Sequence, residues 1–571
     1  MIPRNRSERV LIPPLIRSHK METSDMRSHP AFTITRRQAL LGFGALGAGV
    51  MMGSGSAEAA QAVPAMPDLD AIVGAAMWAF GTPGLSIALI SPGSEPVLRG
   101  YGVRQLGKAA PVDPGTVFAI ASNSKAFTAA ALALLVDEGR LDWDDPVGNH
   151  LPGFRLYDAY ASQQMTVADL LTHRSGLGLG QGDLLFWPGG RRTAAEVVRQ
   201  LRYLKPATSF RANFAYDNVL YIAAGELIRS VSGLSWETFV QQRLLSPMGM
   251  RDSAPDQSLL TTSNRATTHA RIDGPVRGIG RMQIISPLNV PGSAVPDPSN
   301  AAGGIYASAR DMARWLQVQL ARGKTPDGKR LWSEEGASQM WRPRTLVSAS
   351  ATTPARDGDP HFLLYALGWG LQDHRGIPFL AHSGGIEGAA SRVVLVPELG
   401  VGFAILTNAE EQGCHMSIAG MLLDHYTAQT PTDWIAAWKA KGASSQAAAL
   451  KTLEAAQNIR ATGGAASLPL AAYAATYRDD WYGKIVIASA DAGLTIDFTH
   501  NAGMRGRLEH WSRDTFRTRF DNPVIENAYV TFALNEDGSV DCIKMRAISP
   551  MADFSYDYQD ILLRRVNDVQ K

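Results

Sequence analysis

Cysteine is nearly absent from this chain: Cys414 and Cys542 are the only two in 571 residues. A disulfide framework is excluded, and a single bridge would have to join two distant regions read below as separate domains. An excess of either charge is also lacking. The formal net charge is +2, and because residues 1–62 carry eight Lys or Arg against four acids, the remainder stands at −2. Such a balance provides no electrostatic footprint for nucleic acid or an anionic membrane. Several catalytic signatures are missing as well. Without a Gly-x-Ser-x-Gly elbow there is no α/β-hydrolase nucleophile. Without His-Glu-x-x-His or a cysteine pair at metal spacing, a zinc hydrolase has no ligand set. No Gly-x-x-x-x-Gly-Lys-Ser/Thr loop is available to cradle phosphate, and no internal repeat has a solenoid or propeller period. What remains is an ordinary globular composition, 45% hydrophobic and 19% charged, in a chain long enough for more than one domain.

The start of the chain stands apart. TITRRQALLGFGALGAGVMM joins Arg36-Arg37 to a Gly- and Ala-rich apolar stretch, and SAEAAQA supplies small residues after it. The segment resembles a twin-arginine export signal with cleavage after Ala59 or Ala62. Its apolar stretch is short and weakly hydrophobic for a bilayer span, so no permanent membrane anchor is expected. The tail ahead of Arg36 is long, and Met21 and Met26 offer alternative starts. The expected location is periplasmic or secreted.

Downstream, GLSIALI (84–90) and VLRGYGVRQ (97–105), separated by SPGSEP, read as paired strands. ASARDMARWLQVQLARG (307–323) is an amphipathic helix with Ser308 as N-cap and Gly323 as stop. ALGWGLQ (366–372), SRVVLVPE (391–398) and VGFAILTN (401–408) read as consecutive strands. Strands at both ends with helices between them suggest one sheet built from both termini and a helical insert over one side. A helical segment from about Trp434 to Ile459 reaches ATGGAAS (461–467), a hinge or linker. Beyond it, WYGKIVIAS, GLTIDFTH, AYVTFAL and VDCIKMRA alternate over short spans, and NEDGS (535–539) is a hairpin signal. A small all-β domain is expected there.

The chemistry starts from AIASNSKAFTAAALALLVDEGRL (119–141). Its Ala- and Leu-rich run from Ala126 to Val136 suits a buried helix, a poor place for an ammonium group. Ser122 stands three residues before Lys125, so a helical first turn brings both onto one face. A desolvated lysine loses proton affinity and can activate a neighbouring hydroxyl. On these residues alone an equal alternative stands, with Ser122 as a helix N-cap and Lys125 snorkelling to solvent. FAYDNVLYIAAGELIRSVSG (214–233) sets Tyr216 and Asn218 ahead of another apolar helix. LAHSGGIEG (380–388) sets His382 before Ser383, Gly384 and Gly385. Each has a plain explanation by itself, a capping loop in one case and a tight turn in the other.

Together, Ser-x-x-Lys, Tyr-x-Asn and His-x-Gly, in that order and widely spaced, resemble the penicillin-recognising serine hydrolases. That superfamily includes class C β-lactamases, DD-peptidases, D-aminopeptidases, related esterases and oligoamide hydrolases. LLTHRSGLG (170–178), SPMGMRDS (246–253) and AGGIYASARDMARW (302–315) are phrased as in it, and the resemblance covers about residues 70–425. The tail from about 470 to 567 resembles a small β domain of unknown role often appended to these hydrolases.

The resemblance implies that Ser122 is the nucleophile and Ser124 a bystander, with Lys125 shifting its proton toward Tyr216. It implies Tyr216 as general base, or as a phenolate sustained by Lys125, and then as proton donor to the leaving group. Which of Lys125 and Tyr216 takes the first proton is open within the superfamily. Asn218 would hydrogen-bond the acyl side chain of the substrate. His382 stands where many relatives carry Lys and can donate to Tyr216 or to a substrate carboxylate. The N–H groups of Ser122 and Gly385 would form an oxyanion hole worth roughly 3–4 kcal/mol per donor, with Gly384 and Gly385 permitting close approach. There is no class A Glu loop, and His-x-Gly favours peptidases and esterases over efficient β-lactamases. Asp217 adds a carboxylate near the site, and His173 reads as structural.

The expected fold is therefore α+β. It comprises an export signal (1–62), a β-lactamase/transpeptidase-like domain with a mixed sheet flanked by helices (63–430), a helical segment and linker (431–467), and a C-terminal β domain (468–571). The expected function is that of an exported serine hydrolase, without metal or organic cofactor, cleaving peptide or amide bonds, among them those of D-residues or linearised peptides. A carboxylesterase or weak β-lactamase is the alternative within the class. A penicillin-binding sensor without turnover, or an acyltransferase, is the alternative outside it. The partner is a small-molecule or peptide substrate, with no nucleic acid. Oligomeric state and the role of the C-terminal domain stay open.

Overall fold

The strand signals at the two ends of the hydrolase region meet in one sheet. The computed structural model of the chain describes residues 64, 66–285, 297–349, 360–490 and 493–566. The expected export signal lies outside those residues. In chain order the sheet strands are β1 (Gly84–Ile90), β2 (Val97–Gly102), β3 (Thr345–Ala349), β4 (Phe362–Tyr365), β5 (Gly370–His374), β6 (Ile377–Ile386), β7 (Ala389–Val396) and β8 (Val401–Thr407). They lie side by side as β2-β1-β8-β7-β6-β5-β4-β3. Ile87 of β1 faces Arg99 on one side and Ile405, from the far end of the domain, on the other. The expected architecture holds, with one correction. Every pairing in this sheet is antiparallel rather than mixed, because β4 to β8 follow one another through short turns, which only antiparallel neighbours permit. The plain alternative for His382–Gly385, a tight turn, does not hold. They lie inside β6, paired from Leu380 opposite Leu395 to Ile386 opposite Ala389.

The six longest helices among the described residues are α1 (Leu69–Phe80), α2 (Ser124–Asp137), α3 (Val219–Ser232), α4 (Ala309–Leu320), α5 (Gln412–Tyr426) and α6 (Trp434–Thr462). Leu69, Val73 and Phe80 of α1, with Ile418 and Leu422 of α5, pack on Leu85, Ile87 and Leu89 of β1. Met312 and Leu316 of α4 share the core on the opposite face with Ala88, Val393 and Ala404. Covered on both sides, β1, β7 and β8 are buried at every position, which is why they read as unbroken apolar runs. The α4 boundaries follow their signals. Ser308 accepts the Asp311 N–H, and Gly323 turns the chain with φ of 95°.

The C-terminal signals close into a barrel of eight antiparallel strands. They are β9 (Ala475–Asp479), β10 (Gly483–Ala490), β11 (Gly493–Phe498), β12 (Arg505–Ser512), β13 (Thr515–Phe520), β14 (Ala528–Leu534), β15 (Val540–Ala547) and β16 (Leu562–Arg565). Tyr477 opposite Arg565 makes the closing pair, and closure removes the exposed edges an open sheet would carry. The 535–539 turn forms as read, with the Asn535 N–H donating to Ser539 O and Gly538 at φ of 82°. Inside, Tyr473 packs against Phe532 and Phe516 with ring centroids 4.7 and 5.2 Å apart. The barrel rests on the body's 187–192 loop. Asn501 Nδ2 donates to the Trp187 and Pro188 carbonyls, and the Arg191 N–H to His500 O. Cys414 and Cys542 are buried and free.

Candidate active site

Ser122 sits on a short 3-10 turn, Ala121–Asn123, immediately before α2. Ala121 holds a φ of 46°, a left-handed conformation uncommon for a residue with a Cβ. Neighbours pin the turn in place. Asn123 Nδ2 donates to Ser391 Oγ at 2.8 Å, Ser391 donates to Ile120 O at 2.8 Å, and Ser124 Oγ accepts the Ile305 N–H at 3.0 Å. Ser124 thus has a structural hydroxyl. Lys125, one helical turn on, is completely buried. Its Nζ lies 3.3 Å from Ser122 Oγ and donates to Asn218 Oδ1 at 2.7 Å and Ala302 O at 2.9 Å. Burial pulls this amine down to about 7, while the Asp183 and Asp217 carboxylates oppose the shift.

Tyr216 and Asn218 arrive on the extended segment that enters α3. The Tyr216 ring centroid is 4.8 Å from Lys125 Nζ. Desolvation raises its phenol well above the ordinary range, so it stands protonated. The His173 ring lies 4.2 Å from that of Tyr216 and accepts the Asp217 N–H at Nδ1, a packing role as read. The Asp217 carboxylate points into the same buried layer and accepts from Ser175 Oγ at 3.2 Å. Asn218, expected to hydrogen-bond the acyl side chain of the substrate, is itself oriented by the protein, with Oδ1 accepting from Lys125 and one Nδ2 hydrogen donated to Asp183 Oδ2 at 2.7 Å.

Asp183 was not foreseen. It is fully buried, and desolvation raises its carboxyl to about 7 against hydrogen bonds from Asn218 and Ser555 and the charge of Lys125. No local pattern marks it in QGDLLFW; only the tertiary pairing with Asn218 does.

The β6 edge forms the other wall. β5 partners β6 only as far as Ala381, opposite Gly370, so among the described residues the 382–386 stretch has no strand partner on that side. Gly384 must be glycine, since a Cβ there would collide with the Ile120 carbonyl oxygen. At Gly385 a Cβ would meet nothing within 4 Å. His382 requires a correction. Nδ1 lies 2.7 Å from Ser383 O, which can only accept, so Nδ1 carries the hydrogen and Nε2 accepts from the Tyr365 hydroxyl at 2.8 Å. Burial first, then the Lys125 charge, lower this imidazole to about 3. It is neutral, both nitrogens are occupied, and it makes no bond to Tyr216. A cation does stand nearby on β7. Arg392 is 8% exposed, donates Nη1 to Ser383 Oγ at 2.7 Å, and has no carboxylate partner among the described residues. Burial lowers it to about 10.

Among the described residues no group of three or more His, Cys, Asp or Glu is placed to hold a metal ion. No helix among them is long and apolar enough to cross a membrane.

Residues 69–421 match the beta-lactamase family, and residues 460–565 match a domain of unknown function (DUF3471). An unguisins hydrolase of Aspergillus campestris is 31% identical over 339 residues, 57% of this chain and 58% of that protein. The match therefore spans less than two thirds of that relative's length. An unguisins hydrolase of Aspergillus violaceofuscus is 28% identical over 500 residues, 81% of this chain and 84% of that protein. The octameric penicillin-binding protein homologue from Pyrococcus abyssi superposes with a TM-score of 0.53 over 84% of this chain and 98% of that one, at 21% identity, a shared fold.

Proposed function

The chain belongs to the beta-lactamase family of serine hydrolases, and from that premise we propose that it is an exported peptidase or amidase working through an acyl-enzyme on Ser122. One observation carries the reading: Ser122 Oγ lies 3.3 Å from the amine of a fully buried lysine whose proton affinity is lowered to about 7. Near neutral pH that amine can accept the Ser122 proton as Oγ bonds to the substrate carbonyl carbon. The carbonyl oxygen becomes an oxyanion facing the N–H groups of Ser122 and Gly385. Tyr216, protonated at rest, donates to the departing nitrogen as the C–N bond breaks, and Lys125 returns the proton to Tyr216. Water then attacks the Ser122 ester by the reverse transfers. The high proton affinity of Tyr216 supports Lys125 as first acceptor.

The two fungal relatives are named for hydrolysing unguisins, so unguisins belong in the first substrate panel. Export rests on the Arg36-Arg37 segment.

The test is intact-protein mass of the secreted chain and its Ser122→Ala variant after exposure to p-nitrophenyl acetate and a peptide panel. A transient acetyl adduct on wild type alone, with product accumulating, is expected; Ser122→Ala should lose at least about 10³-fold in turnover. The same spectrum reads the first residue, expected at Ala60 or Val63. Equal behaviour of both proteins would sink the acyl-enzyme, and an unprocessed chain would sink export.

A further inference from the structure

Near its C-terminus the barrel sends a turn, 553–557, into the body beside Asp183 and Tyr216. Ser555 Oγ donates to Asp183 Oδ2 at 2.8 Å, the same oxygen that accepts Asn218 Nδ2. Asp557, fully buried, accepts the N–H groups of Gly182 and Leu184 at 2.6 and 3.1 Å, on either side of Asp183. Phe554 packs edge-on against the Tyr216 ring at 5.7 Å, with its carbonyl over Gly180. Gly180 itself holds a φ of 66°, and a Cβ there would meet that carbonyl oxygen at 2.5 Å. These contacts place barrel and catalytic centre in one hydrogen-bonded run, from Ser555 to Asp183 to Asn218 to Lys125.

We propose that the barrel completes the active site, with Ser555 a positioning residue that holds Asp183 as an acceptor and so fixes the direction of the Asn218 amide toward Lys125. The polarity of the run is the reason. A carboxylate taking donors from both Ser555 and Asn218 can be faced only by the Nδ2 end of Asn218, which leaves Oδ1 for Lys125. Take the Ser555 hydroxyl away and a buried carboxylate loses one of its two side-chain donors. It then protonates more readily and can offer an O–H to Asn218, which permits the amide to flip. The other charged or titratable groups facing this pair are Asp217, His173, Tyr216, Tyr221 and His382 from the body and Asp553 and Asp557 from the barrel. None of them is a hydrogen-bond donor to Asp183 in the structure.

The inference rests on the acyl-enzyme reading, and its test separates the two. Full-length wild type, Ser555→Ala, Ser555→Thr and Ser122→Ala are compared for acylation by p-nitrophenyl acetate across pH 5 to 9. Ser555→Ala is expected to lose about tenfold in acylation rate. Its pH midpoint should move down, because a less ionised Asp183 retains less of the Lys125 proton. Ser555→Thr, which keeps the hydroxyl, should recover both rate and midpoint. Asp183→Asn, which keeps the shape, should shift the midpoint in the same direction and serves if Ser555→Ala does not fold. Wild-type rate and midpoint in Ser555→Ala, or equal losses in Ala and Thr at an unmoved midpoint, would overturn the proposal. So would an unmoved midpoint in Asp183→Asn. Activity persisting in Ser122→Ala would instead overturn the acyl-enzyme reading itself.

Discussion

The body and the barrel bury different kinds of groups. Around Ser122 the body encloses Lys125, His173, Asp183, Asp217, His382 and Arg392. Several of these are held away from their ordinary proton affinity, a state that costs stability and confers reactivity. The barrel encloses rings: Tyr473, Tyr477, Phe498, Phe516, Phe532 and Tyr558. Its buried carboxylate Asp479 is satisfied internally by the N–H groups of Trp481, Tyr482 and Leu562. Three other buried polar residues, Asn501, Ser555 and Asp557, turn outward to the body. The difference assigns stability to the barrel interior and chemistry to the body, with the 553–557 turn as their point of exchange.

The largest effect that tests this division comes from Lys125→Met. Removing the amine should lower acylation about 10³-fold or more. Its effect on stability should depend on pH with a definite sign. The folded amine titrates near 7 and the unfolded one near 10.5. Below 7 both states hold the proton and the full cost of burying the charge is felt. Between 7 and 10.5 the unfolded chain binds a proton the folded one has released, so wild-type stability rises with pH. Relative to wild type, Lys125→Met should therefore be favoured by about 2–4 kcal/mol more at pH 6 than at pH 10, read by urea unfolding at each pH. An offset that does not change with pH would mean the buried amine is not strained, and the contrast with the barrel would fail.

The matching change in the barrel is Phe532→Ala. Phe532 is 3% exposed and packs on Tyr473 and Phe516. Truncation should cost about 3 kcal/mol or more of stability while acylation per folded molecule stays at the wild-type value. A rate that falls in step with stability would show that the two parts communicate through the barrel core and not only through the turn.

These contrasts were unevenly legible in the sequence. Ser122 and Lys125 could be paired because three residues on a helix is a fixed geometry, and Tyr216 and Asn218 could be placed because an apolar helix follows them. β6 was hidden: HSGG has the composition of a turn, and its extended form is imposed by pairing with β7 and by the Ile120 carbonyl packed on Gly384. The tautomer of His382 depends on Tyr365, on a different strand. Asp183 and Ser555 stand 372 residues apart, and no periodicity relates a residue of the body to a turn of the barrel. Arg392 sits in an obvious strand, but its lack of a carboxylate partner is a tertiary fact.

The smallest expected effect sharpens the comparison on a single strand, where two adjacent glycines read alike in sequence. Gly384→Ala puts a Cβ against the Ile120 carbonyl oxygen and 2.5 Å from Ser391 Oγ. Neither can withdraw freely, because Ser391 ties Ile120 to Asn123 on the Ser122 turn. The variant should lose about 1–3 kcal/mol in thermal or urea unfolding and slow acylation as the turn shifts. Gly385→Ala points into space with no atom within 4 Å, so its stability should stay within about 0.5 kcal/mol of wild type. If that space is where substrate lies along β6, Gly385→Ala should slow a peptide more than p-nitrophenyl acetate, whose acyl group is only a methyl. Equal slowing of both would place the substrate elsewhere.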